Sequence, residues 1–100
     1  MGSPAAFRLD PVYPNPFSTT TTFSLEMTRP GLLRLHVVDV LGRTVRVLVD
    51  ARRPAGRHTF VWDGTDAAGR HVAGGVHFAR MLAADEGATY TQVRKLVVMR

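Results

Sequence analysis

Turn residues interrupt this chain about every 8–12 positions, and apolar and polar side chains alternate between them. In the run TTTTFSLEM, residues 19–27, Phe23, Leu25 and Met27 fall on one side and Thr22, Ser24 and Glu26 on the other. That period of two belongs to a half-buried strand. Leu33, Leu35 and Val37 alternate with Arg34 and His36 in the same way. No helical period persists over a useful length. The expected fold is therefore all-β, an immunoglobulin-like antiparallel β-sandwich of about seven strands with Greek-key connections. A β-barrel is the alternative.

The stretch GRHTFVWDGTDAAGRHVAGGVHFARM, residues 56–81, organises the rest. It reads as strand, structured loop, strand. His58, Phe60 and Trp62 share one parity, and Trp62 is the sole tryptophan. Burying an indole is worth several kcal/mol, so Trp62 is the expected core anchor. Asp63-Gly64 and Ala68-Gly69 supply two turns, and Gly74-Gly75 opens a new apolar run.

Upstream, DPVYPNPF holds Pro11, Pro14 and Pro16 within six residues. Such spacing forbids a helix and disfavours a central strand. A stiff, polyproline-like segment is expected, anchored by Tyr13 and Phe17, with the Asn15 side chain closing a local turn. Arg29-Pro30-Gly31, Asp39–Arg43 with Gly42, Arg52–Gly56 and Asp85-Glu86-Gly87 are further turns. Val45, Val47 and Val49 share one parity, which Leu48 breaks, marking either a bulge or a strand covered on both faces. The last strand spans roughly 89–99 and faces residues 76–82. Residues 1–6 read as an added or linker lead, and 7–100 as the domain; no apolar leader segment follows Met1.

One hundred residues suit one domain with a modest core. There is no cysteine, which excludes thiol chemistry and cysteine-ligated zinc. No run is long and apolar enough for a membrane helix. The formal charge is +5, and twelve of the thirteen basic residues are arginine. The arginines are scattered and do not interleave with stacking aromatics, so solvated strand faces are expected and nucleic-acid binding is not.

No catalytic constellation emerges. Ser18 and Ser24 lack a nucleophile elbow, and the glycines punctuate turns and form no phosphate loop. Asp63 and Asp66 could suggest calcium, but turn capping accounts for both. His36, expected to face solvent, and His58, His71 and His77 lack close ligand spacing. No metal, cofactor or catalytic residue is expected. Lys95 reads as an ordinary strand lysine, with an isopeptide cross-link as the disfavoured alternative.

Taken together, YPNPF, TTTTFSL, LHVVDVLGRTV, AGRHTFVWDGTDAAGRHVAGGVHFARM and VRKLVVMR resemble the FlgD-like immunoglobulin-like domain. They equally resemble the C-terminal sorting domain of type IX secretion substrates. The resemblance runs from about Leu9 to Arg100. His77 stands where tyrosine is usual, Ala79 where an aromatic is common, and Ser18 where asparagine often follows the proline motif. The resemblance implies a non-catalytic C-terminal module of a larger exported bacterial protein. Its expected partners are secretion machinery or a neighbouring domain, with localisation at the cell surface or outside the cell. A hook-capping type of assembly module is the alternative, and a carbohydrate- or surface-binding module is a third. The motif residues carried over are Tyr13, Pro14, Asn15, Pro16, Phe17, Trp62, Asp63, Gly64 and Gly75.

The last strand is the expected recognition element. Leu96 and Val98 occupy one parity and Val97 and Met99 the other, so both sides are apolar while only one can face a core. Lys95 and Arg100 flank this run. The segment Leu96–Arg100 is expected to be displaceable without opening the fold.

Overall fold

The computed structural model describes residues 7–100. Seven strands form two antiparallel sheets, and no helix is present among the described residues. The strands are β1 (Phe7–Leu9), β2 (Thr21–Met27), β3 (Gly31–Val38), β4 (Thr44–Arg53), β5 (Gly56–Trp62), β6 (Gly75–Ala84) and β7 (Thr89–Val98). One sheet has the order β1-β2-β5 and the other β4-β3-β6-β7. Hairpins join β3 to β4 and β6 to β7, while the links β2–β3, β4–β5 and β5–β6 cross between sheets. The result is the expected immunoglobulin-like sandwich. The reading of residues 1–6 as a lead lies outside the described residues.

The core follows the alternation. Phe23, Leu25 and Met27 from β2 meet Leu33, Leu35 and Val37 from β3, all essentially fully buried. Ala79, Met81 and Ala83 from β6 and Leu96 and Val98 from β7 complete the inner face of the larger sheet. The small side chains of β6 face the bulky ones, which lets two layers interdigitate at interior density. Trp62 is buried and is the largest side chain in this core. Phe60 packs at the core margin beneath the Arg53 guanidinium, 5.6 Å from the ring centroid.

Strand β4 departs from simple alternation. The pairing skips Leu48 between Val49 and Val47 and skips Val45 between Arg46 and Thr44. Leu48 is therefore the expected bulge, and Val45 is a second irregularity. Both skipped side chains pack against the core margin. Because a one-residue slip reverses facing, Val49 is buried while Val47 points outward and is 45% exposed. The shared parity of Val45, Val47 and Val49 is thus corrected by the bulges.

The short edge strand β1 is bridged to β7 by side chains. The Leu9 N–H donates to Gln92 Oε1 at 2.6 Å, and the Arg94 guanidinium donates to the Leu9 carbonyl at 2.7 and 3.1 Å. Side chains of β7 thereby satisfy the backbone of β1 across the gap between the sheets. Arg94 is inward on β7, on the parity of Leu96 and Val98, so it does not belong to a solvated face.

Candidate recognition site at the C-terminal strand

The proline motif does not form a free-standing polyproline segment. Tyr13 exchanges backbone hydrogen bonds with Thr22, at 2.9 and 3.2 Å, which fastens the start of the motif to β2. The Thr21 hydroxyl donates to the Pro14 carbonyl at 2.6 Å. The chain bends through 14–16, with cis peptide bonds before Pro14 and Pro16. Phe17 is buried, but Tyr13 is 78% exposed, so only one of the two expected anchors enters the core. The backbone bonds of Tyr13 hold it in place while its ring stays in solvent.

Asn15 closes no local turn. Its Nδ2 donates to the Lys95 carbonyl at 2.9 Å, and its Oδ1 accepts from the Val97 N–H at 2.9 Å. One amide side chain thus pairs with the outer edge of β7 as a neighbouring strand would. The primary amide carries both a donor and an acceptor, which this task needs. Two residues on, the Phe17 N–H donates to the Val97 carbonyl at 3.1 Å and the Met99 N–H donates to the Phe17 carbonyl at 2.8 Å. Edge pairing therefore continues to the end of β7.

The tryptophan loop holds the same segment from another direction. The Trp62 Nε1–H donates to the Thr65 carbonyl at 2.8 Å, and the indole lies 5.6 Å from the Phe17 ring and 6.0 Å from the His77 ring. Asp63 Oδ1 accepts from the Thr65 N–H at 3.2 Å and from its hydroxyl at 2.5 Å. That hydroxyl holds the Asp63 carboxyl below its ordinary value, opposed by desolvation and helped by the Thr65 N–H. Arg46 braces the loop, donating to the Thr65 hydroxyl at 2.8 Å and the Asp66 carbonyl at 3.0 Å. Asp66 caps its own turn, accepting from the Ala68 and Arg70 N–H groups at 2.9 and 3.0 Å, and the Arg70 N–H lowers its pKa. Both aspartates thus perform the expected turn chemistry.

Arg100 closes the arrangement. Its guanidinium donates to the Gly64 carbonyl at 2.8 Å and to the Val72 carbonyl at 2.9 Å. Glycine lies on both sides of this contact, and at Gly64 the backbone favours it. Gly64 has φ +77°, and a Cβ there would lie 2.5 Å from Arg100 Nη2. A Cβ on Gly74 would lie 3.0 Å from the Arg100 Cβ and 3.1 Å from its backbone nitrogen. Gly75, at φ 129°, opens β6 opposite Val98.

Of the motif residues, Asn15, Phe17, Gly64 and Gly75 therefore meet one object, the segment Lys95–Arg100. Leu96 and Val98 are core side chains, while Lys95 and Met99 are exposed and Val97 is half-buried. The expectation that Leu96–Arg100 can be displaced without opening the fold is overturned. Removing two fully buried side chains and three sets of backbone bonds would dismantle this end of the core. His36 lies on the outward face as expected, but it is only partly exposed and its Nε2 is buried. His58 Nε2 lies 2.8 Å from the Pro54 carbonyl. Arg46, Thr65, Val72, Gly74, Gln92 and Arg94 had no place in the sequence-level site. Inward parity was the available signal for Arg94.

The fold and this latched strand define an immunoglobulin-like β-sandwich module. A family model described as the FlgD Ig-like domain matches residues 15–87. The chain belongs to that family. It is 34% identical over 71 residues to the basal-body rod modification protein FlgD of Salmonella typhimurium; the match covers 70% of this chain and 31% of that protein. The chain thus spans less than a third of that relative. Its fold is similar to the dimeric latent PorU of Porphyromonas gingivalis, with a TM-score of 0.70, 19% identity, and coverage of 99% of this chain and 10% of the other. It is also similar to PorZ of the same organism, described as an essential surface component of the type IX secretion system. There the TM-score is 0.54, with 21% identity and coverage of 89% of this chain and 11% of the other.

Proposed function

We propose that this domain is a non-catalytic accessory module of a larger exported bacterial protein, acting in secretion sorting or docking through Lys95–Arg100. The observation that carries the reading is convergence. Asn15, Phe17, Gly64, Gly74 and Val72 come from three separate places in the chain, and all hold this one strand. The fold thereby fixes the outward side chains Lys95, Val97 and Met99 in register for a protein partner. A folded and latched strand gives recognition a rigid template, which limits the ordering cost on binding. The fold likeness to PorU and PorZ supports the secretion setting, at the cell surface or outside the cell.

The test is substitution in the full-length parent, because deletion would unfold the domain. Lys95→Glu with Met99→Ser alters exposed groups only. The expected result is reduced export at an unchanged domain melting temperature. Normal export of a folded variant would end the reading.

A second reading is an assembly module of the hook-capping type, supported by the identity to FlgD. Flagellar neighbours of the full-length gene would favour it; an upstream export signal and catalytic domain would favour sorting. The carbohydrate-binding reading loses ground. Trp62 is buried, Tyr90 packs 4.8 Å from Phe7, and exposed Tyr13 has no aromatic row beside it among the described residues.

A further inference from the structure

The two outer faces of the sandwich differ in kind. On the three-stranded sheet the charges neutralise one another. Arg57 reaches Asp10 at 2.8 Å and Glu26 at 3.8 Å, and Arg8 reaches Asp10 at 3.6 Å. The Ser24 and Thr59 hydroxyls meet between them at 3.5 Å. This is an ordinary solvated face.

On the four-stranded sheet the register places Val47, His36, Arg80 and Val93 in one row across all four strands. Phe78 and Lys95 are paired in the next row, and Val76 and Val97 in the last. Val47 and Val93 are 45% and 54% exposed. Asp50 is the one acidic strand residue on this face, and Arg34 already engages it at 3.0 Å. Arg52, paired with Leu32 on the same face, Arg80 and Lys95 meet no carboxylate among the described residues. His36 Nε2 lies buried within the central row with no hydrogen-bond partner. Apolar area, uncompensated positive charge and an unsatisfied polar atom thus coincide on a single face.

We propose that this face docks a protein surface that presents carboxylates among apolar side chains. The charge is complementary to such a partner, and β-branched residues on a sheet face suit face-to-face packing. Three uncompensated cations are too few for the phosphate contacts that drive nucleic-acid binding, typically about 6–10. They also fall short of the clusters of about 4–8 that hold anionic lipid. Strand addition to this sheet is not the mode, because β7 is capped by Asn15 and Phe17 and β4 is bulged. The face shares Lys95 and Val97 with the segment assigned to recognition above, but the variants that test it leave that segment unaltered, so the two readings fail separately.

The probe is a synthetic hairpin peptide with valine and glutamate alternating on one face, titrated into the full 100-residue chain and followed by amide chemical shifts. A matched hairpin with glutamine for glutamate is the comparison. Shifts are expected to centre on residues 36, 47, 80 and 93. Arg80→Glu, and separately Val47→Ser with Val93→Ser, should each weaken binding at least tenfold. Arg8→Glu, on the opposite face, should leave binding unchanged. Each variant is first checked for an unchanged melting temperature, with Arg80→Gln replacing Arg80→Glu if the latter unfolds. The proposal is overturned if no binding occurs, if the glutamine hairpin binds equally well, or if the shifts map elsewhere. Tighter binding to vesicles of phosphatidylcholine and phosphatidylglycerol, or to a single-stranded oligonucleotide, would overturn it in favour of an anionic lipid or nucleic-acid surface.

Discussion

Replacing Asn15 by alanine tests the latch most directly, because one side chain makes two of its bonds. The variant removes the donor to the Lys95 carbonyl and the acceptor from the Val97 N–H, both at 2.9 Å. A net hydrogen bond contributes about 0.5–1.5 kcal/mol, and both of these lie at the surface, where water replaces a lost partner. The expected loss is about 1–2 kcal/mol. For a domain of this size each kcal/mol lowers the melting temperature by about 4–8 °C, so a fall of about 5–15 °C is expected. The local signature is sharper. The Val97 N–H points away from β6 toward Asn15, so its protection against hydrogen exchange should collapse in Asn15→Ala, while amides at the β3–β6 centre keep theirs. Asn15→Asp separates the two bonds, since it retains the acceptor for Val97 but turns a carboxylate oxygen toward the Lys95 carbonyl. It should protect Val97 better than alanine yet melt no higher than wild type. Unchanged Val97 exchange in Asn15→Ala would refute the edge-capping argument.

Trp62→Ala should destabilise by about 3–5 kcal/mol through loss of burial and an unfilled cavity, measured by denaturant titration; red-shifted, fully quenchable native tryptophan emission would contradict its burial. Gly64→Ala should lower the melting temperature and expose Arg100, because it combines a positive φ with a Cβ 2.5 Å from the guanidinium; wild-type stability would show that the close approach is unimportant. Acid should destabilise the fold. Asp10 is held below its ordinary 3.8 first by the Arg57 hydrogen bond, and Asp63 by the Thr65 hydroxyl. The stability they contribute is complete above the unfolded-state value and is lost as pH falls through the depressed folded values. Urea midpoints measured from pH 6 downward should decline, and Asp63→Asn should flatten that decline. Calcium should leave the melting temperature unchanged, since Oδ1 of Asp63 and Oδ1 of Asp66 each accept two bonds within their own turns; a rise reversed by chelator would contradict this.

The strands were legible because their chemistry is local. Phe23, Leu25 and Met27 declare their facing by period alone, and the turns at Gly42 and Asp85 follow from residue type. The β4 reading half succeeded: Leu48 announced a bulge, but the reversal of Val47 depends on which β3 residue each β4 residue meets, which is not a local property. Asn15 shows the same limit at the site. Its side chain is equally suited to closing its own turn or capping a strand edge, and the partner it takes is about eighty residues away in sequence. The arginines misled for a related reason. Charge suggested solvent, yet Arg94, Arg46 and Arg100 each extend a long side chain to a backbone carbonyl that no neighbouring strand satisfies.

The seam between β1 and β7 has a mechanical consequence. Phe7 sits at the end of the sandwich that holds Met27 and Gly56, whereas Val98 sits at the other end, beside Gly75. The two strands therefore run in the same direction, side by side. A pull applied between Phe7 and Val98 loads both strands along their length, so the ladders to β2 and β6 and the Gln92 and Arg94 bridges must yield together in shear. A tensile load directed this way meets the domain where many bonds share the force, whereas a peeling load would break them one at a time.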